Sequence, residues 1–169
     1  MNQSNEILVN LVRKYVGCSL LNRKDELGVL VARGVDDPKK VVGIRTNCAT
    51  FALGIMHEAG VIHPLLEKPY VLGMAVAWVR TVGKDLQAIK KYTKGTVLPP
   101  GALLHYYTPG KNNNHVEWLL SEVAPNNMAE HGGGGRANNA ITSGFGSVDY
   151  NSGRPLQEWF DPRFLLPYV

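Results

Sequence analysis

Between Thr46 and Gly60 the chain carries a pattern that fits a helix with marked ends. Phe51, Ala52, Ile55, Met56 and Ala59 form one apolar stripe at helical spacing. Thr46 is a good N-cap, and Gly60 stands where a left-handed C-cap belongs. A helix with such a stripe must bury it, so a partner layer is required elsewhere in the chain. Cys48 falls in the first turn, among backbone N–H groups with no intrahelical partner. The partial positive charge there favours a thiolate, and the free donors can hold an oxyanion. A nucleophilic cysteine needs both. A buried structural thiol is the competing interpretation of Cys48 at this point.

The partner layer is predicted further along. Gly101–Tyr107 reads as a strand, followed by the turn-rich Thr108–Asn114 and a second strand, His115–Ser121. Pro125–Asn127 is a turn, and Met128–His131 a short third strand that runs into four consecutive glycines. His115 opens the second strand and His131 ends the third. A helix bearing cysteine, followed by antiparallel strands bearing histidine and a second polar group, is the layout of a papain-like thiol hydrolase. In that layout Cys48 attacks a carbonyl, His115 takes its proton, and a third group orients the imidazole.

These residues resemble the NlpC/P60 cysteine peptidases. Asn47-Cys48-Ala49-Thr50-Phe51 and the Ala59-Gly60 ending are similar to that family's nucleophile helix. Pro100-Gly101-Ala102-Leu103-Leu104 is similar to its next strand, and His115-Val116-Glu117-Trp118 to its His-Val strand. Met128–His131 is similar to the strand that brings its third catalytic residue. The resemblance covers roughly residues 45 to 132 and implies an α+β, papain-like fold. It implies a catalytic set of Cys48, His115 and His131, and cleavage of amide bonds in peptidoglycan peptides. Glu130 competes with His131, because related CHAP amidases use a glutamate in third place. Adjacent strand residues face opposite ways, so only one of the two can meet His115. Departures from the family pattern are Ala49-Thr50 in place of Ser-Gly, and Glu117 in place of the glycine after His-Val. The nearest analogue of a family tyrosine that helps bind the oxyanion is Tyr15, well upstream.

Asparagine before the cysteine also resembles a branch of the family, the amidase effectors injected through type VI secretion; phage lysins carry similar domains. That branch implies synthesis in the cytoplasm without a signal peptide, a delivery machinery that carries the protein to the cell wall, and an immunity protein as partner. The non-enzymatic alternative is a binding or virion-structural module on the same fold.

Composition bounds the rest. The 169 residues, 44% of them hydrophobic, suit one catalytic domain over 1–169. The first six residues carry no basic n-region, and the longest apolar runs fall far short of a membrane span, so no membrane insertion is expected. The net charge of +4 is scattered over short clusters, without the aromatic and basic motif of a nucleic-acid binder. Two cysteines make no disulfide framework, and Cys18 reads as a structural thiol. The spacing of Cys48, His115 and His131 matches no zinc signature, and Gly132–Gly135 lacks the lysine and helix of a phosphate loop, so neither metal nor cofactor is expected.

Around the motif, Asn5–Tyr15 is predicted as an amphipathic helix with Ile7, Leu8, Leu11, Val12 and Tyr15 on one stripe. A short element is expected near Leu27–Arg33 and a turn at Asp36. Helices are expected over Tyr70–Val82 and Asp85–Tyr92. Residues 132–153 read as a mobile loop with one strand at Ala140–Thr142, and Phe164–Leu166 as an edge strand.

Overall fold

The first helix, α1 (Gln3–Tyr15), starts where the Asn2 side chain accepts the Asn5 N–H. It buries Leu8, Val12 and Tyr15, with Ile7 and Leu11 beside them, which is the expected stripe. The structure is a computed structural model and describes residues 2–18, 47–68, 75–134 and 140–168. The short element near Leu27–Arg33, the Asp36 turn and Thr46 lie outside the described residues.

Helix α2 (Asn47–Ala59) packs its stripe into the main core, where Phe51, Ala52, Ile55 and Met56 are buried. Burying one such large side chain is worth roughly 1.5–3 kcal/mol. Its end is a Schellman motif: Val61 N–H donates to Met56 O and Gly60 N–H to His57 O, with Gly60 at φ +96°. Helix α3 (Ala75–Asp85) packs on α2 and against the sheet at Gly83, where any Cβ would run into the Phe160 ring.

The strands are β1 (Ile89–Lys91), β2 (Leu103–Tyr106), β3 (His115–Leu119), β4 (Met128–Gly134), β5 (Ile141–Ser147), β6 (Tyr150–Asn151) and β7 (Arg154–Phe160). They join in the order β1-β7-β2-β3-β4-β5, with β6 paired to β7, and every pairing is antiparallel. The fold class is therefore α+β, as expected. Alternation sorts the strand residues between two cores. Leu103, Val116, Trp118, Ile141 and Phe160 face the helices; Leu104, Tyr106, Leu119, Ala129 and Trp159 build a second cluster on the other face. No helix among the described residues is long and apolar enough to cross a membrane.

Three expected elements differ. The helix expected over Asp85–Tyr92 ends at Asp85, and Ile89–Lys91 is strand β1 instead. Gln87 takes the left-handed conformation (φ 56°), and Ala88 N–H closes back on Gly83 O, a helix stop without its usual glycine. Residues 132–153 are not a loop with a single short strand. β4 runs on through Gly134 and pairs with β5, while β6 leads into β7. A Cβ at Gly132 would overlap the Thr142 carbonyl, so this glycine serves close backbone approach. Phe164–Leu166 is no edge strand: Pro162–Leu165 forms a short helix, α4, capped by the Asp161 side chain with proline at its start. The helix expected from Tyr70 begins, within the described residues, at Ala75.

Candidate active site

Cys48 lies in the first turn of α2, 7% exposed and unbridged. Helix α2 packs against β3 and β4 near a place where their pairing is incomplete. The β3–β4 register covers Trp118↔Gly132 and Leu119↔His131, and leaves His115, Val116 and Glu117 unpaired on that side. The helix start and the beginning of β3 thus meet: the Cys48 thiol is hydrogen-bonded to the His115 ring and to backbone at Val116 and Ala49. Burial pushes the thiol up. The His115 bond and charge, with the two backbone groups, more than offset this and bring Cys48 below the ordinary value.

His115 and Glu117 are two apart on one strand and so share a face. His115 Nε2 lies 3.2 Å from Glu117 Oε1, which leaves Nδ1 for the sulfur. Burial works against a charge on His115, yet Cys48 and Glu117 together raise it to about 9. Glu117 is buried, and burial alone would favour its neutral form. Hydrogen bonds from His115 and His131 reverse that and hold it at about 2. Among the described residues the carboxylate has three donors around it: His115, His131 Nδ1 at 2.7 Å on Oε2, and Asn151 Nδ2 at 2.5 Å on Oε1. Gly133 of β4 lies alongside, where a Cβ would make ordinary van der Waals contact with the Glu117 Cβ at 3.4 Å.

The structure brings Cys48 and His115 into contact. His131 joins the same cluster, but Glu117 stands between it and His115, so the direct His115–His131 contact expected from the sequence is replaced by a shared carboxylate. The bond to Glu117 raises His131 above its usual range despite its burial. Glu130 points elsewhere. It takes a two-pronged bond from Arg13 at 2.6 and 3.3 Å, while Arg13 also donates to Leu120 O. Tyr15 is buried against Phe51, and its hydroxyl donates to Glu58. Cys18 is half-buried and forms no disulfide. His63 caps the 3₁₀ turn Pro64–Glu67 through Leu65 N–H and meets Asp85 at 2.9 Å. His57 meets Glu67 at the surface.

Sequence reasoning missed Glu117 and Asn151. Glu117 had a signal: it departs from the resembled family pattern, and it stands two residues from His115, hence on the same face. Asn151 comes from a remote hairpin and had none.

Chemically, the cluster offers a thiol whose ionisation is favoured, beside an imidazole that a buried carboxylate helps to keep protonated. Among the described residues no three His, Cys, Asp or Glu side chains are arranged to hold a metal ion. Comparisons with protein-family models, with curated proteins and with solved structures find no match for this chain.

Proposed function

We propose that this protein is a cysteine hydrolase of amide bonds, with a papain-like site made of Cys48, His115 and Glu117. The observation that carries the proposal is the Cys48–His115 hydrogen bond at a helix start, backed by a buried carboxylate on the far side of the ring. A structural thiol has no use for that backing. Glu117, on the same strand as the base, takes the orienting role that the sequence assigned to His131 or Glu130.

Each step uses groups in place. The Cys48 thiolate adds to the amide carbonyl, and the oxyanion is held by backbone N–H groups at the helix start. His115 donates its proton to the leaving nitrogen as the C–N bond breaks, giving a thioester. The same ring then takes a proton from water, which attacks the thioester and frees the sulfur. The resemblance of residues 45–132 to NlpC/P60 enzymes supports peptidoglycan peptides as the substrate class. Action at the bacterial cell wall after delivery, and an immunity partner, belong to the same proposal.

The test is release of new amino groups from purified peptidoglycan, followed by mass analysis of the fragments. The wild-type protein should release them, and Cys48→Ala should lower turnover by about 10⁴-fold or more. Ala is a good helix former, so the variant should fold. An inactive wild-type protein that binds the wall polymer would favour the non-catalytic module. Full turnover by Cys48→Ala would remove the nucleophile.

A further inference from the structure

Glu117 is held more closely by the two groups that do not touch the thiol than by the one that does. His131 Nδ1 stands at 2.7 Å and Asn151 Nδ2 at 2.5 Å, against 3.2 Å for His115 Nε2. Both competitors are themselves fixed. Asn151 Oδ1 accepts from Arg154 Nη2 at 2.7 Å, and Arg154 also donates to Asn113 O, two residues before His115. The His131 ring is mostly buried, with its Nε2 turned toward the Gly146 and Ser147 backbone and forming no well-shaped hydrogen bond. None of the bonds described above joins it to Cys48.

We propose that His131, with Asn151 beside it, is a positioning residue that draws on Glu117 in competition with His115, so that His115 feels only part of a carboxylate. This rests on the thiolate–imidazolium pair of the proposed function and adds a reason for the third and fourth members of the cluster. The more of a buried carboxylate's charge an imidazolium receives, the higher its pKa and the weaker an acid it is toward a leaving amine. Dividing the carboxylate among three donors weakens its hold on the His115 proton.

Among the described residues, the groups facing the carboxylate are few. From β3 comes His115, from β4 His131, and from β6 the uncharged Asn151. From β2 comes Tyr106, whose hydroxyl donates to Val148 O and which burial and nearby carboxylates keep neutral. From β5 only backbone approaches, and Cys48 acts through His115.

The experiment is a pH titration of the His115 ring by NMR with carbon-13-labelled histidine. It should be run on the wild type, His131→Leu, His131→Asn and Asn151→Ala. Removing the competing donor in His131→Leu should raise the His115 midpoint by about one pH unit above the wild type. Asparagine keeps a donor near the Nδ1 position, so His131→Asn should stay within about 0.3 unit of the wild type. Asn151→Ala should shift the midpoint upward by a smaller amount. A midpoint that stays or falls in His131→Leu overturns the proposal; if that protein does not fold, Asn151→Ala decides by the same rule. The readout needs no substrate. A wild-type protein without hydrolytic activity would defeat the proposed function and leave this titration able to decide on its own.

Discussion

A buried histidine and a half-buried one sit on neighbouring strands, and each leans on a buried glutamate, but they are built for different ends. His105 pairs in register with Val116, the residue after His115, and so faces the other side of the sheet. Its Nδ1 meets Glu158 at 2.9 Å and its Nε2 meets Asn114 at 2.8 Å. Glu158 is bound in turn by Arg80, with Nε at 2.9 Å. Both His105 nitrogens are therefore committed, and its carboxylate already has a permanent cation. His115 has one nitrogen on Glu117 and the other facing sulfur. Burial and a carboxylate partner do not separate a reactive histidine from a structural one. What separates them is a ring nitrogen left facing an atom that can lose or gain a proton.

The largest expected effect tests that distinction directly. His115→Ala should cut amide hydrolysis by about 10³-fold, within the range for losing a general acid–base group. His105→Ala should leave turnover within about tenfold while costing roughly 1–3 kcal/mol of stability, because Glu158 and Asn114 lose a buried partner. Assays of turnover and urea unfolding on both variants decide. Equal turnover losses in two folded proteins would break the comparison.

The two carboxylates give the next effect. Glu117 sits at about 2 in the folded protein against an ordinary 4.5. Its charge therefore stabilises the fold fully above about pH 4.5, and this is lost as pH falls toward 2, a loss of up to about 3 kcal/mol. Glu158 is also lowered and acts in the same direction. Thermal unfolding between pH 2 and 5 should lose part of its slope in both Glu117→Gln and Glu158→Gln. Only Glu117→Gln should change the pH at which iodoacetamide labels Cys48. In the wild type that labelling should begin below the thiol's ordinary 9.0 and change again near 9, where His115 loses its proton. A Cys48 profile that Glu117→Gln leaves unmoved would uncouple the carboxylate from the thiol. The two members of the Cys48–His115 pair act in opposite directions as pH rises from 6.5 to 9. Over that interval His115's contribution is lost with rising pH while that of Cys48 grows.

The smallest effect concerns the second thiol. Cys18 is half-buried at the rim of the main core. Cys18→Ala should keep hydrolysis within about twofold and change stability by about 1 kcal/mol, measured by the same two assays. A loss like that of Cys48→Ala would mean that the nucleophile was assigned to the wrong cysteine.

Much of the framework was legible in the chain because it obeys simple periodicities. The stripes of α1 and α2, the Gly60 stop and the strands at His115 and Met128 all carry their own signals. β1 was hidden because Gln87 performs the helix stop normally left to glycine. β5 was hidden because Gly132–Gly134 read as slack, whereas Gly132 is what permits close contact between β4 and β5. At the site, Cys48 and His115 came from local pattern. Glu117 was seen only as a departure from a family pattern, since its role depends on strand parity and on donors from β4 and β6 that are remote in sequence.

That parity has a consequence for error. On β3 the even-numbered Val116 and Trp118 belong to the helix-side core, and the odd-numbered His115 and Glu117 carry the candidate chemistry. A shift of this strand by a single position during folding would exchange the two sets. Charged groups would be driven among the helices and tryptophan toward the carboxylate cluster. A misregistered chain would therefore lose its packing and the candidate site together, so the strand that holds that site also proofreads its own assembly.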